Sequence, residues 1–173
     1  MSFIKWLDNR LTNFTAEAVN KENAHKYENV FYSNNEYYLI TDGRPALKED
    51  CMDTVEYTES FTEGTPHCIG FSRDGVPMAF LSLFEGYPDE NTLYIGLFLV
   101  DKSAQRSSVG TEIMKAVIAE GFALGYTAIR LSVQDNNVSG YPFWQKLGFK
   151  ETDKTLCQGF YNISMLLNKT KAV

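Results

Sequence analysis

Apolar residues recur along this chain at two periods, and each stretch predicts an element. Phe3, Ile4, Leu7 and Leu11 fall at helical spacing, so residues 1–12 read either as a short amphipathic helix docked on the domain or as a frayed tail. Asn13 to Val19 reads as a first strand, and Asn20 then suits the N-cap of a helix whose Ala24, Tyr27 and Phe31 share one face. Asp42-Gly43 marks a turn. Pro45 suits the first turn of a second helix that buries Leu47, Cys51 and Val55.

His67 to Ser72 and Val76 to Phe84 are apolar runs joined by Asp74-Gly75, a strong hairpin signal. Thr92 to Val100 is so continuously apolar that it predicts a central strand covered on both faces, with Gly96 in its middle marking a bulge or a close backbone approach. Ser108 to Leu124 carries a wide stripe of Val109, Ile113, Met114, Val117, Ile118 and Phe122, closed by Gly125. Ala128 to Gln134 alternates as a strand, a short helix follows around Ser139 to Leu147, and Phe149–Leu156 and Phe160–Leu167 read as two closing strands. This order predicts an α/β fold, a mixed and mostly antiparallel sheet with helices on both faces.

At 173 residues the chain suits one domain, placed at residues 13–173. Its longest strongly apolar run, Leu93 to Val100, falls well short of the roughly 20 residues of a membrane-crossing helix. Sixteen basic against 22 acidic residues give a net charge of −6, which argues against nucleic acid and anionic membrane surfaces as partners. Three cysteines without paired spacing, and a beginning too short and charged for a signal peptide, predict a reducing, cytoplasmic setting. Two histidines and no Cys-x-x-Cys supply a zinc site poorly, and neither histidine sits near a nucleophile elbow, so no metal is expected.

Chemistry concentrates between the central strand and the long helix, in the small-residue loop from Asp101 to Thr111. Such a junction offers free backbone N–H groups and the positive end of a helix dipole, which together suit a phosphate. Plain helix capping fits the same residues. Neither nucleotide-loop signature, G-x-x-x-x-G-K-[ST] or G-x-G-x-x-G, is present.

Val100 followed by Gln105-Arg106-Ser107-Ser108-Val109-Gly110, and further on Leu131, Val133, Asn137, Gly140, Phe143, Trp144, Lys146, Gly148 and Phe149, match two spaced motifs in order. On these residues the chain resembles the GCN5-related N-acetyltransferase superfamily from about Asn13 to Leu167. The resemblance implies a sheet of about six to seven strands. It also implies acetyl-CoA lying along the splayed edges of Thr92–Val100 and Ala128–Gln134, with acetyl passed to the primary amine of a small cationic molecule or a peptide in a ternary complex.

In that reading the backbone at Phe98, Leu99 and Val100 faces the pantetheine and thioester, and Gln105, Arg106, Ser107, Ser108, Val109, Gly110 and Thr111 cradle the pyrophosphate. Asn137, Phe143, Trp144 and Lys146 belong to the same cofactor side. Two positions depart from the pattern. Ser108 replaces the first glycine, and Trp144 replaces the tyrosine that protonates the CoA thiolate, a task no indole performs near neutral pH. Tyr141, three residues earlier on the same helix, offers a phenol instead; packing of its ring and protonation by water are the alternatives. For the base, Glu85 is the better choice, while Asp89 and Glu90 suit a solvated turn; Tyr94 lines the pocket or packs, and His67 reads as a strand residue with a satisfied ring. The rival reading is a catalytically silent acyl-CoA-binding module of the same fold, and a third is an unrelated α/β binding domain. A homodimer stays open as the assembly.

Overall fold

A computed structural model describes residues 3–170; Met1, Ser2 and residues 171–173 of the segments predicted above lie outside the described residues. Seven strands form one sheet: β1 (Thr15–Ala18), β2 (Thr65–Arg73), β3 (Val76–Glu85), β4 (Thr92–Val100), β5 (Ala128–Gln134), β6 (Lys150–Cys157) and β7 (Phe160–Asn168). Their order is β1-β2-β3-β4-β5-β7-β6, and every neighbouring pair is antiparallel except β4–β5. The predicted mixed, mostly antiparallel α/β sheet is the observed one.

Among the described residues six α-helices cover it: α1 (Phe3–Asp8), α2 (Glu28–Tyr32), α3 (Asn35–Thr41), α4 (Asp50–Glu59), α5 (Val109–Ala123) and α6 (Gly140–Lys146). On one face Phe3 and Leu7 of α1 and Ile113, Met114 and Val117 of α5 pack on Ile69, Phe71, Leu81, Leu83 and Leu93. On the other, Tyr27, Val30, Phe31, Cys51 and Val55 pack on Cys68, Phe80 and Leu99. The β2–β3 hairpin turns as its dipeptide requires, with Asp74 and Gly75 both at positive φ (51° and 78°). A β-carbon on Gly121 would lie 2.4 Å from Leu93, so a glycine there lets α5 approach β4 closely. Among the described residues no helix is long and apolar enough to cross a membrane.

Two predictions need correction. The second helix starts at Asp50 and not at Pro45, because the Asp50 carboxylate accepts the Leu47 N–H (2.7 Å) and pairs with Arg44, holding the intervening chain as a turn. Leu47 is consequently 48% exposed. The helix α3, absent from the sequence reading, buries only Tyr38 and carries no apolar stripe to announce it.

β4 positions the site. Ser82 lies opposite Leu97 but Leu83 opposite Ile95, which leaves Gly96 as the extra residue of a bulge. Alternation resets there: Leu93 and Ile95 before the bulge and Phe98 and Val100 after it pack toward α5, whereas Leu97 and Leu99 pack toward α2 and α4. The parallel ladder to β5 runs only from Thr92↔Ala128 to Ile95↔Leu131. Beyond it the two strands diverge, while β5 stays paired with β7 as far as Gln134.

Candidate functional site

The divergence opens a cleft of about 1140 Å³ between Ile95–Val100 and Leu131–Gln134, bounded by α3, the start of α5 and the start of α6. One end of it is the N-terminus of α5. The first helical N–H to find a carbonyl is that of Glu112, bonded to Ser108 O at 2.9 Å, so the N–H groups of Val109, Gly110 and Thr111 have no backbone partner among the described residues. Ser108 before them adopts a left-handed conformation (φ 68°) and its side chain caps nothing. That geometry explains why a glycine suits the position. Arg106 lines the same end, as does Lys102, whose Nζ donates to Glu36 at 2.7 Å and holds that carboxyl below its ordinary range.

Of the predicted loop residues, Arg106, Ser108, Gly110 and Thr111 line the cleft. Gln105 also lines it, but its amide is committed inside the protein, donating to Asn34 Oδ1 (2.9 Å) and Val100 O (3.0 Å). Asn34 donates to Val100 O as well (2.9 Å), so the two amides latch the end of β4 to the segment before α3. The structure places Ser107 and Val109 outside the lining: the Ser107 hydroxyl donates to Ala104 O, and Val109 is buried in the core. Lys146, on the last turn of α6, is likewise outside it.

Phe98, Leu99 and Val100 all line the cleft. Phe98 stacks on Phe143 (centroids 6.1 Å apart, planes 19°), Phe143 meets Trp144 edge-on at 4.9 Å, and Trp144 meets Phe149 at 5.4 Å. Trp144 is therefore a packed aromatic anchor. A β-carbon on Gly110 would lie 3.3 Å from Val100 Cγ2 and 3.5 Å from both Phe98 and Phe143, so α5 rests directly on these rings. Asn137 accepts the Gly140 N–H (2.9 Å), fixing the start of α6 while lining the cleft. Gln134 shows a feature sequence reasoning missed: its Oε1 is buried without a hydrogen-bond partner in the wall of the same cleft. Buried acceptors are rarely left unsatisfied.

A second cavity of about 570 Å³ lies on the α3–α4 face of the sheet, and it shares Tyr37, Asp42, Gly96 and Leu97 with the cleft. The two meet at the bulge. Burial, and then the Asp42 charge, push the Tyr37 hydroxyl up to about 12, so it stays protonated at neutral pH. Asp42, Asp50, Asp53 and Arg44 in this wall were not singled out from the sequence, where only Asp42-Gly43 carried a signal and that signal was a turn.

Neither residue predicted to move protons faces these cavities. Glu85 opposes Leu93 and follows Leu83 by two, which places it on the α1–α5 face, across the sheet from Ser82 and Phe84 of the second cavity. There it accepts hydrogen bonds from His67 Nε2 and from the Tyr126 hydroxyl (2.7 Å). The His67 hydrogen bond, reinforced by Tyr126, holds its carboxyl below the ordinary range against the opposing effect of burial. His67 stacks on Phe3, so this triad ties α1 to the sheet. Tyr141 turns its hydroxyl to Glu151 Oε2 on β6 (3.1 Å) and lines neither cavity.

Known proteins show the same construction. An acetyltransferase from Thermus thermophilus superimposes with a TM-score of 0.77 at 16% identity, covering 91% of this chain and 98% of that one. YncA from Salmonella typhimurium, a putative acetyltransferase solved with its cofactor acetyl-CoA, superimposes with a TM-score of 0.65 at 14% identity, covering 93% and 96%. The PaiA N-acetyltransferase of Thermoplasma acidophilum, solved in complex with coenzyme A, gives 0.65 at 16% identity, covering 91% and 100%. No curated protein matches the chain by sequence. The sequence pattern of the Acetyltransferase (GNAT) family matches residues 24–149, most of the chain and every wall of the cleft except Asn162, and the protein belongs to that family.

Proposed function

We propose that this protein transfers acetyl from acetyl-CoA to the primary amine of a small cationic molecule or a peptide, by direct attack in a ternary complex. The observation that carries the reading is the divergence of β4 from β5 beyond Ile95 and Leu131, which opens the large cleft onto the N-terminus of α5. The residues fit the cosubstrate. Unpaired strand edges suit the amides of a pantetheine arm as an added strand would, and the unsatisfied Gln134 Oε1 suits an amide N–H. The free N–H groups of Val109, Gly110 and Thr111, at the positive end of a 15-residue helix with Arg106 beside them, suit a pyrophosphate. YncA and PaiA, each solved with acetyl-CoA or coenzyme A, support the same reading. Three free cysteines fit a reducing cytoplasm.

Acetyl-CoA supplies an activated thioester, and the chain's residues do the rest. The attacking amine must lose a proton, and Asp42 is the one carboxylate lining both cavities among the described residues. Asp42 takes that role in place of Glu85, directly or through a water. The backbone amides at Phe98 and Val100, beyond the bulge, stabilise negative charge developing on the acyl oxygen. Tyr37 adds a protonated phenol as hydrogen-bond donor at the junction. With Trp144 packed among aromatic rings and Tyr141 turned to β6, water protonates the departing thiolate, a weak base.

The test is an amine screen that detects free CoA thiol, run on the wild type and Asp42→Asn. The wild type should release CoA only when an amine is present, and Asp42→Asn should lower kcat/KM at pH 7 by about 10²-fold or more. Binding of acetyl-CoA without amine-dependent thiol release would overturn the reading and favour the silent acyl-CoA-binding module.

A further inference from the structure

We propose that the second cavity selects acceptors with two positive charges, small α,ω-diamines, by holding the non-reacting ammonium at Asp53 while the reacting amine lies at the bulge. The proposal rests on the acetyltransferase reading above and deepens it. Three acids and one base line this cavity, but their charges are not equally available. Arg44 is consumed by Asp50: its Nη2 donates to Oδ1 (2.5 Å), its Nη1 to Oδ2 (3.1 Å) and to Pro45 O (2.9 Å), and the guanidinium lies 5.2 Å over the Tyr38 ring. A bidentate pair of this kind leaves no fork for an incoming carboxylate. Asp50, 4% exposed and also bonded to the Leu47 N–H, cannot reach a ligand without breaking the pair.

Two carboxylates remain. Asp42 Oδ2 lies 3.4 Å from Arg44 Nη2, the outer edge of the pair, and the Asp53 carboxylate has no ion-pair or hydrogen-bond partner among the described residues. Asp42 stands at the junction with the cofactor cleft, whereas Asp53 lines the second cavity alone. The field in the cavity is thus doubly negative, with one charge where the chemistry occurs and one away from it.

The cavity also holds a phenol whose hydroxyl no group among the described residues engages, an observation separate from the acids. Tyr38 is 5% exposed, lines the cavity, and its hydroxyl has no hydrogen-bond partner among the described residues. A phenol in that state accepts from an ammonium N–H. Tyr57 and Phe84 add aromatic faces, which favour a cation over a neutral group of the same size. At about 570 Å³ the space takes a short diamine along its whole length.

The test uses the full chain and reads binding and turnover separately. Calorimetry compares 1,4-diaminobutane with n-butylamine on wild type, Asp53→Asn and Asp53→Glu, with acetyl-CoA titrated into each. The wild type should bind the diamine at least about tenfold more tightly, an advantage that weakens with salt, as a charge contact in a solvent-reached cavity should. Asp53→Asn should abolish the advantage and Asp53→Glu restore much of it, with acetyl-CoA affinity unchanged throughout. In turnover the same ratio should appear in KM, with kcat little altered. Equal binding of the two amines by the wild type, or an advantage that survives Asp53→Asn, would overturn the proposal. Failure of the acetyltransferase reading shows itself differently, as diamine selectivity without CoA release.

Discussion

Ser108→Gly is expected to stabilise the protein. Ser108 holds φ 68° and ψ −4° immediately before α5, and its side chain makes no capping hydrogen bond that the substitution would remove. An L-residue in this region costs about 1–2 kcal/mol through the contact of its β-carbon with the backbone. Glycine relieves that cost but loses about 0.4–1 kcal/mol by loosening the unfolded chain. The net gain is about 0.5–1 kcal/mol, and for a domain of this size it raises Tm by about 1–4 °C. Thermal melts of wild type, Ser108→Gly and Ser108→Ala read it directly, the alanine variant keeping the β-carbon and gaining nothing. A Ser108→Gly melt at or below wild type, or an equal gain in Ser108→Ala, would refute the reasoning. Acetyl-CoA affinity should stay within about threefold, because the cradle is backbone; a larger loss would mean that the hydroxyl itself holds phosphate.

Tyr141→Phe should leave the maximal rate within about twofold of wild type, since its hydroxyl binds Glu151; single-substrate kinetics showing a fall of about 10²-fold would restore it as the acid. Asn137→Ala removes the acceptor of the Gly140 N–H and should cost about 1 kcal/mol, seen as a drop in Tm of about 2–4 °C, together with weaker acetyl-CoA binding in titration. Glu85 is held below its ordinary value of 4.5 in the folded state, first by His67 and then by Tyr126. Its contribution to stability is therefore complete above about pH 5 and is lost as pH falls through and below the ordinary carboxylate range. The Tm difference between wild type and Glu85→Gln should accordingly hold steady above about pH 5 and shrink from there toward about pH 3; a difference that stays constant down to about pH 3 would contradict the hydrogen bonds that His67 and Tyr126 make to the carboxylate.

The elements with strong periodicity were legible in the sequence. The Asp74-Gly75 hairpin, the stripe of α5 and the alternating β5 each lie where the pattern put them, because burial of one face fixes period and register. Gly96 was legible as an irregularity, though its consequence, the reset of alternation that turns Leu97 and Leu99 to the opposite face, needed the register of β3. The loop from Asp101 to Thr111 was legible as a strand-to-helix junction because it joins two strong elements. The second cavity was not. Most of its walls come from Tyr37 to Tyr57, where Tyr38 is the only buried residue of α3 and the acids look like a solvated surface until Arg44 and Asp50 are seen paired. The face that Glu85 takes was illegible for a related reason: proximity to the central strand along the chain does not say which side of the sheet a side chain takes, and parity with Leu83 sends it away from the cleft.

The central claim, that the opening between β4 and β5 holds acetyl-CoA with its pyrophosphate at the start of α5, is tested most directly by a crystal structure of the coenzyme A complex. It predicts pyrophosphate oxygens at about 2.7–3.1 Å from the backbone nitrogens of Val109, Gly110 or Thr111, and the pantetheine arm between Gly96–Val100 and Ser132–Gln134. Phosphates bound more than one helical turn from these nitrogens, or an arm outside the divergent strands, would contradict it.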